Sequence, residues 1–125
     1  MTFTAPTKAE QPTEITVLNH SKTVTLGSAD TASAPIQLGG MCLAKVITPG
    51  TLTATTINLY GCDTISGTYV PIKDRDGNAI SLTVSTNEGI NIHPEETYGW
   101  NFIKLNVTSS EGSDRVFTYS LRTVQ

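Results

Sequence analysis

Short runs that alternate apolar and polar residues make up most of this chain, and a period of two marks strands with one buried face. Four runs are clean. Ile57 and Leu59 share one side of residues 56–60, with Asn58 on the other. Ile80, Leu82 and Val84 alternate with Ser81 and Thr83. Ile103, Leu105 and Val107 alternate with Lys104 and Asn106. Within residues 116–124, Phe117, Tyr119 and Leu121 alternate with Thr118, Ser120 and Arg122. Shorter runs at residues 15–18, 23–26, 35–38, 42–47, 69–72 and 89–92 also read as strands.

Turn residues separate these runs. Asn19 to Lys22 form a polar corner, residues 27–34 a small polar loop, and Gly39-Gly40 and Pro49-Gly50 stops. Asp76-Gly77 is a hairpin-type turn. Pro71 lacks an amide hydrogen, so its strand belongs at a sheet edge. The link at residues 109–114 is short and polar and reads as a hairpin joining the last two strands. About nine or ten short strands at this spacing predict an all-β fold, a single antiparallel β-sandwich with one wet face per sheet. No helix longer than a turn is expected, and no internal repeat is evident.

Residues 1–14 differ from the rest. They hold Pro6 and Pro12, Lys8, Glu10 and Glu14, and no aliphatic residue larger than alanine. They read as an extended N-terminal arm preceding a sandwich domain at 15–125. Such a segment is either a disordered tail or an arm that orders against a partner, with Phe3 as its anchor.

Composition supports the strand reading. Threonine makes up about one residue in six; it is β-branched, suits a half-wet pleated surface and is poor helix material. The net charge is −3, and lysines and arginines are scattered singly, which argues against a nucleic-acid partner. No apolar run approaches the roughly 18 residues of a membrane span. Residues 1–6 lack a signal peptide's basic start and apolar core, so synthesis and retention in a host cytoplasm, or release by lysis, is expected.

Candidate chemistry is sparse. His20 and His93 fall in no HxH or HExxH arrangement, and no GxSxG elbow is present. Glu95-Glu96 are neighbours on a loop and do not face each other across a substrate. Residues 74–78 resemble half of a calcium loop, but the glycine comes too early and no glutamate follows at the required distance. Cys42 and Cys62 match no zinc spacing and read as buried free thiols; a bridge would require neighbouring strands. Asn19-His20-Ser21 and Asn106-Val107-Thr108 match the glycosylation sequon, which carries no weight without secretion. No catalytic residue, metal ligand or cofactor site is assigned, and the chain is expected not to be an enzyme. Tyr98-Gly99-Trp100 is the one aromatic cluster in a loop. Exposed, it would stack on a sugar or a partner; buried, it would plug one end of the sandwich, the preferred reading because a strand starts at Phe102.

One stretch resembles a known group of proteins. Leu59-Tyr60-Gly61-Cys62-Asp63 is followed by residues 66–72, Asp76-Gly77-Asn78, residues 100–105, Asp114-Arg115 and Leu121-Arg122. This order, over roughly residues 57–122, resembles small structural proteins of tailed bacteriophages, in particular capsid decoration (cement) proteins. The turn at residues 62–67 is longer than theirs, and the first half of the chain matches no pattern of theirs. The resemblance implies a virion structural protein on the capsid surface that binds the major capsid protein, stabilises the head, and assembles as a homo-oligomer, often a trimer. Phe3, Tyr98 and Trp100 are the candidate partner-binding residues. A second resemblance, carried by Asp63, Gly67-Thr68-Tyr69 and residues 100–105, is to galactose-binding-like sandwiches. It implies instead a carbohydrate-binding module on a tail or baseplate.

Overall fold

The computed structural model describes residues 21–123. The arm at 1–14, the run at 15–18, Phe3 and His20 lie outside the described residues. Within them the strands are β1 (Ser21–Leu26), β2 (Ile36–Gln37), β3 (Cys42–Ile47), β4 (Thr56–Cys62), β5 (Val70–Pro71), β6 (Ser81–Thr83), β7 (Gly89–Asn91), β8 (Phe102–Asn106) and β9 (Arg115–Arg122). One helical turn, Pro94–Thr97, interrupts them.

The strands form two antiparallel sheets packed face to face, an all-β sandwich. The first sheet has the order β1-β9-β3-β7, and the second runs β2-β8-β4-β5, with β6 sharing the far edge of β4 with β5. Pro71 is thus on an edge strand, where a missing amide hydrogen breaks no ladder. The four clean alternating runs turn the expected side inward, with Leu82 on the edge strand β6 only partly buried. Leu26, Leu43, Val46 and Phe117 from the first sheet meet Ile36, Ile57, Leu59 and Ile103 from the second, all of them fully buried. Each such side chain contributes about 1.5–3 kcal/mol relative to exposure.

Three boundaries differ from the sequence expectation. β1 starts at Ser21, inside the expected polar corner, because Ser21 and Lys22 pair with Ser120 and Tyr119 of β9. Strand pairing here overrides local turn preference. β8 and β9 are not a hairpin: β8 pairs with β2 and β4, and β9 with β1 and β3. The intervening link crosses from one sheet to the other, and its Glu111 is almost wholly buried. The turn at Asp76-Gly77 is capped rather than minimal. One Asp74 carboxylate oxygen accepts from the Asp76 and Asn78 amides, each at 2.9 Å. Gly77 takes a φ of 85°, which favours glycine.

Candidate functional site

Both ends of the sandwich carry chemistry that strand alternation does not encode. At one end Glu111 joins three segments. Its carboxylate accepts from the backbone amides of Thr53 and Ala54, each at 2.8 Å, and from Arg115 Nε at 2.9 Å. Its carbonyl accepts from the Ala29 amide at 3.0 Å. Nearby, the Ser28 amide donates to Asp114 at 2.7 Å. Burial acts to raise the Glu111 pKa, but the bonds from Thr53, Arg115 and Ala54 and the Arg115 charge outweigh it, so the carboxyl sits below its ordinary value. This is a structural clamp across the inter-sheet link: Oε1 accepts from the Thr53 amide and the largely buried Arg115 guanidinium, and Oε2 from the Ala54 amide. Glu111 lies in a stretch of serine, glycine and aspartate that reads as a wet loop, so strand and turn patterns do not reveal the clamp.

The opposite end gathers the loops at residues 63–69 and 97–101. The Asn101 side-chain amide donates to the Asp63 carbonyl at 3.1 Å and ties them together. Trp100 is half-buried and packs on the core. Its ring lies directly on Gly61: a Cβ there would fall 2.6 Å from Trp100 Cε3, so glycine is required for this close approach. Tyr98, two residues earlier, is 59% exposed. The aromatic pair expected from the loop is therefore split. Trp100 plugs the sandwich and Tyr98 faces solvent. Ile65 and Val70 are also exposed at this end, and Asp63 is the one charged residue in segments 63–70 and 97–101. The turn Pro94–Thr97 is held by Thr97, whose hydroxyl accepts from the Leu43 amide at 2.8 Å while wholly buried.

A shallow cleft runs between the 73–78 hairpin and the helical turn, lined by Lys73, Asp74, Arg75, Glu95 and Glu96. It unites two features that are separate in sequence, the calcium-like loop and the paired glutamates. Its polar groups are mostly spoken for or mutually paired. Asp74 is engaged by backbone amides, and Arg75 lies 3.7 Å from Glu95 as a solvent-exposed pair, an arrangement worth little. Among the described residues no group of three histidine, cysteine or acidic side chains is placed to hold a metal ion. His93 is exposed at the start of the helical turn. Cys42 and Cys62 are both buried free thiols on strands of opposite sheets. Cys42 Sγ donates to the Arg122 carbonyl at 3.5 Å, and Cys62 Sγ lies 3.8 Å from the Thr64 hydroxyl.

No protein-family model matches the chain, and no curated protein matches it. Among solved structures, the SPBc2 prophage-derived protein YomS is similar, with 18% identity over 82% of this chain and 95% of that one and a TM-score of 0.44.

Proposed function

We propose that this chain is a non-enzymatic structural protein of a tailed-phage particle, a decoration protein that docks on the head through the Tyr98 end of the sandwich. The observation that carries the reading is the company Tyr98 keeps. Ile65 and Tyr98 are exposed on the two loops that the Asn101–Asp63 bond ties together, and Val70 is exposed at the start of β5; Asp63 is the one charged residue in segments 63–70 and 97–101. A large aromatic anchor with apolar neighbours on a rigid support is the usual energetic centre of a protein interface. The resemblance of residues 57–122 to decoration proteins supplies the partner, the major capsid protein. A lattice of identical sites would multiply a weak contact if copies assemble around a local symmetry axis. Contacts of this kind depend little on salt, because no clustered charge is there to be screened.

The test is co-sedimentation of purified protein with heads lacking it, at low and high salt. Wild type should pellet with heads at both. Tyr98→Ser combined with Ile65→Ser, both at exposed positions, should weaken binding at least tenfold, about 1.4 kcal/mol. Failure of the wild type to bind heads at either salt would sink the proposal.

A further inference from the structure

The two long sides of the sandwich are finished differently. On one side the segment at residues 31–34 bridges the sheets. The Ala34 amide donates to the Thr25 carbonyl on the outer edge of β1 at 3.0 Å, the Ser33 amide to the Leu105 carbonyl at 2.9 Å, and the Val107 amide to the Thr31 carbonyl at 2.8 Å. On the other side β7 is the edge of the first sheet, and β6 borders β4 of the second, with only the short link at residues 84–88 between them. β7 lies against β3 with Ile90 opposite Val46. The Thr48 amide donates to the Glu88 carbonyl at 2.8 Å, and the Ile92 amide to the Ala44 carbonyl at 3.0 Å. Residues 88, 90 and 92 thus face β3, and the N–H and C=O groups of Gly89 and Asn91 point away from it. Among the described residues no strand pairs with them there.

An edge of this kind accepts another strand, and proteins commonly guard it with proline, lysine, a bulge or a covering loop. β1 has its covering loop, and β5 has Pro71. β7 is Gly-Ile-Asn and has no such guard. Ile90 of β7 and Leu82 of β6 are only partly buried against the core, so the open side also shows water an apolar seam.

We propose that a second copy of this chain covers the open side, its β7 pairing antiparallel with this β7 across a two-fold axis at Ile90. The strand is self-complementary in that register. Gly89 stands opposite Asn91 of the second copy, and Asn91 opposite Gly89, so every outward N–H and C=O of both residues finds a partner. Ile90 meets Ile90, apolar on apolar, and Glu88 meets Ile92, so no like charges are opposed. On the outer face an added Cβ at Gly89 would meet nothing within 4 Å, and the next residue in that row is Ile47, exposed at 37%. The glycine therefore leaves room for Asn91 of the second copy to lie toward Ile47. The product is one continuous sheet, β1-β9-β3-β7 followed by the same strands in reverse. An unrelated extended segment could take the same hydrogen bonds, but it would have to bring its own apolar residue to Ile90 and keep acids away from Glu88. The chain's own strand does both by symmetry. Three residues of pairing with an apolar seam form a small contact, below the roughly 1,200 Å² of stable interfaces, so the free dimer should be weak.

The experiment is sedimentation velocity of the full chain from about 10 µM to about 1 mM, a range that spans weak dimers. It needs no heads, so it stands or falls apart from head binding. Wild type should pass from monomer to dimer as concentration rises. Asn91→Pro removes an amide hydrogen that faces away from β3, a change that an edge strand tolerates. It should weaken dimerisation at least tenfold while its urea midpoint shows it folded. Ile90→Cys gives a second reading. Position 90 meets its copy as a non-hydrogen-bonded pair with Cα atoms about 4.5 Å apart, so mild oxidation should yield a disulfide-linked dimer. Gly89→Cys, which faces Asn91 rather than its own copy, should not crosslink. If Asn91→Pro unfolds, the two cysteine variants decide. A monomer at every concentration, a trimer, full dimerisation of folded Asn91→Pro, or crosslinking through position 89 instead of 90 would each overturn the proposal. So would a dimer lost in Tyr98→Ser, or on deletion of residues 1–14, and kept in Asn91→Pro, since the contact would then lie elsewhere.

Discussion

Glu111→Ala should be the most damaging polar substitution in the described fold. The carboxylate accepts from the Thr53 and Ala54 amides, and it neutralises Arg115, whose side chain is only 15% exposed. Truncation leaves that guanidinium without its counter-charge, and breaking a buried pair from one side costs about 3–5 kcal/mol. Each stranded amide adds up to about 1–3 kcal/mol, but the terms share one space and do not sum, since a water can enter the vacated site. We therefore expect about 3–5 kcal/mol against a total stability of about 5–15 kcal/mol for a domain, and a drop in Tm of roughly 10–20 °C. Glu111→Gln should cost less, about 1–3 kcal/mol, because its oxygen can still accept while its NH2 opposes a donor. Urea titration followed by the fluorescence of Trp100, the chain's one tryptophan, reads this from the opposite end of β4 and so reports global unfolding. The pH dependence has a definite sign. Glu111 is held below its ordinary value, near 4.5, by the folded state. Its stabilisation is therefore complete above that ordinary value and is lost as pH falls through the depressed one. Wild type should lose more stability than Glu111→Gln between neutral pH and pH values below 4.5. A Glu111→Ala protein within about 0.5 kcal/mol of wild type at pH 7 would refute the clamp, since that is the effect of an ordinary surface change.

Leu105→Ala removes a fully buried core side chain and should cost about 2–5 kcal/mol by urea titration. A cost near zero would mean that β8 does not face the core. Gly61→Ala should displace the Trp100 ring, since the added carbon would overlap it. The expected signs are a destabilisation of about 1–3 kcal/mol and a red-shifted emission maximum. Cys42 and Cys62 should react with a thiol reagent far more slowly in the native protein than in urea, where both are modified; fast native labelling would contradict their burial.

Alternation made the walls of the sandwich readable, because a strand with one dry face must repeat every two residues. Ile57, Leu59, Ile103, Leu105, Phe117, Tyr119 and Leu121 could be assigned inward on that ground alone, and all are buried. Sheet membership was not readable from the same signal. A six-residue polar link serves a hairpin and an inter-sheet crossing equally well, and the crossing depends on Glu111 finding amides some 57 residues away in sequence. The Tyr98–Trp100 loop shows the same limit. Its composition announced an aromatic cluster, but which ring is buried depends on Gly61, on another strand. The outward residues of β4 and β8 were visible only as the polar halves of two clean alternations. Their pairing depends on register, which places Asn58 against Asn106 and Tyr60 against Lys104. Local pattern does not fix which strand pairs with which.

β4 links these observations physically. Its inward residues, Ile57 and Leu59, carry the core, and the residues preceding it are gripped by Glu111. Its far end is the glycine that admits Trp100, and its outward residues are Asn58 and Tyr60. A central strand paired on both sides and clamped at its start is among the last elements to open locally. Side chains carried on its outer face are therefore attached to a backbone that stays in place without contacts of their own. The same logic separates the effects of substitution. Changes at Asn58 or Tyr60 alter partly exposed side chains on a frame that other residues hold, whereas changes at Gly61 or Glu111 move the frame itself. Asn58→Ala should thus shift a urea midpoint by no more than an ordinary surface change, about 0.5 kcal/mol, while Glu111→Ala shifts it by several times that. If the two shifted it equally, β4 would not be the rigid platform that its pairing and its clamp make it.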